Sequence, residues 1–173
     1  MIRKYRKLGY AIFCLDESTH VIAPNVRRGW YIKGKNIATA INYTREKFCS
    51  FGALGADDFA YRFYEKANSD NFIDFLKHLG KKYGKVLLFA DNVAYHKSGK
   101  VERYIRSTKG DTVIRYFPGY TPELNPIEIQ WREIKKNLGN QFFAGTDEMK
   151  DCIRKLVRTG KVPVVKLFDY LTH

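Results

Sequence analysis

Cysteine is scarce in this 173-residue chain: Cys14, Cys49 and Cys152 stand far apart, with no CxxC spacing among them. Three thiols so placed build neither a disulfide framework nor a zinc knuckle, and they suit a reducing compartment. Long apolar runs are missing as well. No segment approaches the ~18 residues of a membrane span, and Tyr10–Leu15 has neither the length nor the flanks of a secretory signal. An intracellular protein with no membrane partner is therefore expected. There is no Pro/Gly/Ser-rich stretch, low-complexity tract or internal repeat, so no long segment reads as disordered. A Gly-rich phosphate loop, a Ser/His/Asp elbow and an HExxH pair are also absent.

Acidic residues are the minority. Eighteen Asp and Glu face 31 Lys and Arg, giving a formal charge of +13 and a pI near 9.6. A field of that sign attracts polyanions and releases their counterions, although charge alone does not separate DNA from RNA or an acidic membrane. Hydrophobic residues make up 45% of the chain and aromatics 15%. That is enough apolar surface for one core, and the length fits a single domain over residues 1–173.

Two fully apolar segments organise the reading. Tyr10–Leu15 runs into Asp16-Glu-Ser-Thr-His20, and Val86–Ala90 runs into Asp91-Asn-Val-Ala-Tyr-His96. Both read as buried central strands, each delivering an aspartate at its C-terminal end. Ile37–Tyr43, Phe48–Leu54 and Phe59–Glu65 are strand-like, the last two joined by the turn residues Gly55-Ala-Asp-Asp58. Phe72, Phe75, Leu76 and Leu79 have helical spacing after a cap at Ser69 or Asp70, with Gly80 or Gly84 as the stop. Ser98–Thr108 is helical and Thr112–Phe117 is a further strand. Leu124, Ile127, Trp131, Ile134 and Leu138 make a helical stripe behind Pro126, and a last helix spans Thr146–Arg158 ahead of an apolar tail ending near Leu171. Helices alternating with strands after a meander give an α/β fold with a mixed sheet.

Open α/β sheets place their sites beyond the carboxyl ends of central strands, so Asp16 and Asp91 converge if their strands are neighbours. Carboxylates brought together repel one another unless a divalent cation neutralises them. Two Mg²⁺ or Mn²⁺ ions about 3.5–4 Å apart activate an attacking oxygen and stabilise a leaving one at phosphorus. The plainer alternative is that each aspartate caps a turn. Asp57 and Asp58 fit that alternative, being hairpin-turn residues.

Three blocks carry a family resemblance: Leu15-Asp-Glu-Ser, Ala90-Asp-Asn-Val-Ala-Tyr-His96, and Phe117-Pro-Gly-Tyr-Thr-Pro-Glu-Leu-Asn-Pro-Ile-Glu-Ile-Gln-Trp131. Together they resemble the DDE transposases of the mariner superfamily, in the bacterial and archaeal insertion-sequence branch. The third block is the most specific. The resemblance covers about Tyr10 to Leu138 and implies a ribonuclease H-like fold with a five-stranded sheet flanked by helices. It places the catalytic and metal-binding triad on Asp16, Asp91 and Glu128, with a two-metal Mg²⁺ or Mn²⁺ site. Glu17 and Glu123 are then neighbours rather than ligands. Thirty-six residues separate Asp91 from Glu128, close to the family's separation.

The implied activity is nicking of DNA at element ends and transfer of the 3′-hydroxyl into target DNA, by a homo-oligomer, in a cytoplasmic, nucleoid-associated setting. The family's N-terminal helix-turn-helix is not expected here, since nine residues precede the first strand; this leaves end recognition open to a separate chain. Candidate DNA contacts are Arg27, Arg28, Trp30, Lys33 and Lys35 in a cation-and-aromatic loop, with His96, Lys97, Arg132 and Lys135. Each has a plainer reading: a surface ribbon with Trp30 tucked beneath it, a structural His96, a solvated helix face. Two other functions stay open, a catalytically silent DNA-binding or multimerisation module and a nuclease that cuts without joining.

Overall fold

A computed structural model describes residues 1–23, 26, 30, 32–34, 40, 42–118 and 125–166. After a short helix α1 (Ile2–Lys7) come β1 (Ala11–Val21), β2 (Lys47–Leu54), β3 (Phe59–Tyr64), α2 (Ser69–Tyr83) and β4 (Val86–Ala90). A 3₁₀ turn (Ala94–Lys97), α3 (Gly99–Ser107), β5 (Thr112–Tyr116), α4 (Ile127–Leu138) and α5 (Thr146–Arg158) follow. The five strands form one sheet in the order β3-β2-β1-β4-β5. β1 pairs antiparallel with β2 and parallel with β4; β2–β3 is antiparallel and β4–β5 parallel. The sheet is therefore mixed, as expected, with helical connections carrying the parallel half.

Helices cover both faces, which is why β1 and β4 open on unbroken apolar runs instead of alternating ones. On one face Phe13, Leu15, Phe51 and Leu88 pack with Phe72, Phe75, Leu76 and Leu79 of α2 and Val101 of α3. On the other, Phe48, Leu54 and Phe59 meet Ile127, Trp131, Ile134 and Leu138 of α4 and Ile153 and Leu156 of α5. Ile12, Cys14 and Leu87 are covered by Ile2 and Tyr5 of α1 and by Phe117. Burial pushes the Cys14 and Cys49 thiols up to about 12, so both behave as small apolar groups.

Several boundaries depart from expectation. β1 runs to Val21, well past Leu15, because β2 pairs with it from Cys14↔Leu54 to Val21↔Lys47. Asp16 therefore lies inside its strand rather than at its end, whereas Asp91 directly follows β4. The cap of α2 is Asn68, whose side chain accepts from Asn71 N–H, rather than Ser69 or Asp70; the stop is Gly84. Helix α1 was not signalled, being short and without an apolar stripe. Of the expected strand Ile37–Tyr43, Ala40, Asn42 and Tyr43 belong to no strand and the rest lies outside the described residues, as does the tail from residue 167. Gly55–Asp58 forms the hairpin turn, closed by Gly55 N–H donating to the Asp58 carbonyl at 2.8 Å.

The seating of α4 on the sheet depends on one missing side chain. Gly52 is the β2 partner of Asp16, and a Cβ there would stand 2.5 Å from Cζ2 of Trp131 and 3.0 Å from Phe59. Trp131 is buried and cannot yield cheaply. Gly52→Ala should cost about 1–3 kcal/mol of stability by overpacking, measured by urea unfolding. The same substitution should cost less in a Trp131→Leu background, where the obstructing ring is gone; equal costs in both backgrounds would contradict this seating.

Candidate active site

The last parallel pair of β1 and β4 is Cys14↔Phe89. Asp16 and Asp91 each stand two residues further on, where the two strands part. α4 brings a third acid within electrostatic reach of Asp16. Asn125 Nδ2 donates to the Leu15 carbonyl at 3.2 Å, and Glu128 N–H donates to the Asn125 carbonyl at 3.1 Å. The first turn of α4 is thus tied to the backbone next to Asp16, with Trp131 seated over Gly52 one turn on. Glu128 lies in that first turn, where a carboxylate also complements the helix dipole.

Electrostatics tie Asp16 to the other acids. Its carboxyl is pushed up to about 8, first by burial, then by the charges of Glu128 and Glu17 and, more weakly, of Asp91; a backbone hydrogen bond opposes the rise. A like charge about 4 Å away at an effective dielectric of 20 repels by about 4 kcal/mol, so neighbouring acids add substantially to what burial begins. Glu128 is itself exposed, so the cluster opens to solvent.

A second constellation shares Asp91. His96 is completely buried, its Nε2 2.8 Å from Glu17 Oε1 and its Nδ1 3.2 Å from Asp91 Oδ1. Nδ1 points its hydrogen at the Asp91 carbonyl, 3.3 Å away, so Asp91 Oδ1 is near the ring yet buried without a hydrogen bond. Burial alone would lower the His96 imidazole; the carboxylates of Asp91 and Glu17 beside its two ring nitrogens outweigh it and push the ring up to about 9. Among the described residues, Glu17, Asp91 and His96 are the three whose ligand atoms all lie within 4.8 Å of one another. Glu17, a neighbour by the sequence reading, thus belongs to the site. Strand alternation explains why: Asp16 and Glu17 are adjacent and point to opposite faces, with Asp91 between them at the sheet's end.

The remaining candidates divide. His96 does not reach solvent, so the expectation that it touches a phosphate is not met. Lys97 is exposed, its Nζ 4.8 Å from the Tyr116 ring. Arg132 is exposed on α4, while Lys135 is partly buried beside His20. Burial first, and the Lys135 charge second, lower the His20 imidazole to about 4. Trp30 is fully exposed rather than tucked, and Lys33 is exposed too. Arg27, Arg28 and Lys35 lie outside the described residues. Asp58 is structural, pairing with Lys82 at 2.9 Å and accepting from the Tyr83 hydroxyl.

The donor set fits a hard divalent cation. Asp16 gathers unbalanced negative charge, Asp91 keeps a buried oxygen without a hydrogen bond, and carboxylate oxygens are the ligands that Mg²⁺ and Mn²⁺ prefer. A mixed sheet in this order, with helices on both faces and acids where the central parallel strands part, is the ribonuclease H-like fold. The chain belongs to the DDE superfamily endonuclease family, which matches residues 11–150. Among solved structures it is similar to the mariner Mos1 paired-end complex with Mg, at 16% identity and a TM-score of 0.69, covering 98% of this chain and 54% of that one. The paired-end complex with Mn gives 15% and 0.68, covering 91% and 52%. The Mos1 catalytic domain gives 14% and 0.62, covering 98% and 78%. This chain thus spans about half the length of the transposase chains in the paired-end complexes. No curated protein sequence matches it.

The raised Asp16 carboxyl has a sign that can be checked. With its pKa higher in the folded protein, folding favours the protonated acid: that stability is complete below the ordinary value of 3.8 and is lost as pH rises through about 8. Metal-free protein should lose stability over that window, by on the order of a few kcal/mol, since each tenfold change in proton affinity is worth about 1.36 kcal/mol. Asp16→Asn should flatten the dependence and be the more stable of the two at pH 8.5. Thermal melts of both proteins in chelator across pH 4–9 measure this, and parallel curves would contradict the assignment.

Proposed function

We propose that this domain is a metal-dependent DNA transposase, a polynucleotidyl transferase that nicks DNA and transfers a 3′-hydroxyl end, with Asp16, Asp91 and Glu128 as its metal ligands. The observation that carries the reading is the burial of Asp16 within electrostatic reach of Glu128, Glu17 and Asp91, beside the exposed Glu128 at the end of the sheet. Mg²⁺ or Mn²⁺ held there supplies charge neutralisation for the attacking and leaving oxygens of an in-line displacement at phosphorus.

The chain's own residues supply the rest. Asp16, inside β1, is held by its antiparallel pairing with Gly52 of β2, two residues beyond the last pair with β4. Glu128 rides on α4, whose tether through Asn125 holds the helix's first turn against the backbone next to Asp16. Asp91 leaves β4 with one face toward solvent, its side chain 42% exposed. Lys97 and Arg132, exposed around this point, are suited to phosphates, and the net charge of +13 steers DNA toward the surface. Concerted action on two element ends implies a homo-oligomer on DNA, to which a separate chain can contribute recognition of those ends. The setting is the nucleoid; no helix among the described residues is long and apolar enough to cross a membrane. The family's description as an endonuclease favours one further reading, a nuclease that cuts without joining.

Labelled duplex incubated with the chain and Mn²⁺ or Mg²⁺ should be nicked, and joined products would mark a transposase rather than a nuclease. Asp91→Asn and Glu128→Gln should each lose nicking by more than about 100-fold, because losing even an outer-sphere partner of a metal costs 10–100-fold. Wild type that binds DNA yet cuts no better than the variants would leave a binding module as the account. Binding should weaken steeply with salt. Lys97→Ala and Arg132→Ala should each reduce the slope of log affinity against log salt by about 1, and unchanged slopes would remove them from the DNA surface.

A further inference from the structure

We propose that Glu17 and His96 form a positioning pair that fixes the direction of Asp91, with His96 acting as an internal strut rather than as a metal ligand or a DNA contact. The inference rests on reading Asp91 as a ligand.

The need for a strut follows from the sheet. β4 ends at Ala90 while β1 continues to Val21, so beyond Cys14↔Phe89 no ladder hydrogen bond holds the segment carrying Asp91 against β1. The imidazole spans that opening. One ring nitrogen donates to Glu17 Oε1 of β1 at 2.8 Å, and the other donates to the Asp91 carbonyl at 3.3 Å and lies 3.2 Å from Asp91 Oδ1. Both ring N–H directions end on oxygens, and both partners are acceptors.

The ring is itself held from every side. Phe72 of α2 packs on it at a centroid distance of 4.1 Å, and Tyr95 meets it edge-on at 4.5 Å. Tyr116 of β5 donates its hydroxyl to the His96 carbonyl at 3.1 Å. Ser69 at the start of α2 donates to the Tyr95 carbonyl at 3.2 Å, anchoring the 3₁₀ turn. Glu17 is only 11% exposed along its side chain and His96 not at all, against 42% for Asp91. Of the three groups, Asp91 alone presents itself to an arriving cation. A buried group whose hydrogen bonds orient a ligand is the usual outer partner of a metal site.

Mn²⁺ binding to the 173-residue chain tests this without reference to catalysis. Affinity is read by the loss of the free-ion electron paramagnetic resonance signal, and nitrogen coordination by electron spin-echo modulation. Wild type should bind Mn²⁺ with no modulation from a directly bound imidazole. His96→Gln and Glu17→Gln should weaken binding about 10–100-fold while circular dichroism shows the fold retained. Directly bound nitrogen would make His96 a ligand and overturn the proposal. Unchanged affinity in both variants, where Asp91→Asn loses it, would overturn the strut and leave the ligand reading standing. Unchanged affinity in Asp91→Asn would sink the ligand reading, and the strut with it. Should His96→Gln unfold, Glu17→Gln keeps the side-chain volume and the Phe72–His96 contact and carries the test.

Discussion

Mutual repulsion among acids around Asp16 is the constraint to which the rest of the structure answers. A carboxyl pushed up to about 8 by burial and by neighbouring acids is an unfavourable thing to build, and it persists because the surrounding framework leaves it no escape. Asp16 is paired with Gly52 of β2, α4 is tied to the Leu15 carbonyl through Asn125, and Trp131 occupies the space that a side chain at residue 52 would need. Each restraint is apolar packing, strand pairing or the hydrogen bond from the Asn125 amide to the Leu15 carbonyl, and none depends on the acids. The core thus holds the charges together and leaves their neutralisation to a cation from outside.

The two faces of β1 divide the labour. Asp16 shares its face with Gly52 and α4, the helix that carries Glu128, whereas Glu17 turns to the opposite face and its buried histidine. Asp91 stands where these surroundings meet, near His96 on one side and within electrostatic reach of Asp16 on the other. Charge is concentrated at one end of the sheet, and the layers beneath it are built from Phe, Leu and Ile.

Much of this was legible in the sequence. Unbroken apolar runs announced strands buried on both faces, the Phe72–Leu79 spacing announced a helix, and the acids at 16, 91 and 128 stood out against a basic background. The end of β1 was not legible, because Glu-Ser-Thr-His after Asp16 reads as a turn; pairing with β2 overrides that local preference, so Asp16 sits within a strand. The role of Glu17 is hidden for a related reason, since spacing along the chain does not reveal a contact with a residue 79 positions away. Alternation was the available signal: once β1 continues, Asp16 and Glu17 must face apart. The fate of His96 also needed three dimensions, as only the packing of Phe72, Tyr95 and Tyr116 removes it from solvent.

The location of a bound Mn²⁺ by anomalous X-ray diffraction tests the central claim most directly. The account predicts an anomalous peak among the carboxylates of Asp16, Asp91 and Glu128, with the His96 ring still bridging Glu17 and Asp91. A peak bonded to the His96 imidazole and Glu17, away from Asp16 and Glu128, would contradict it and move the metal centre to the other face of β1.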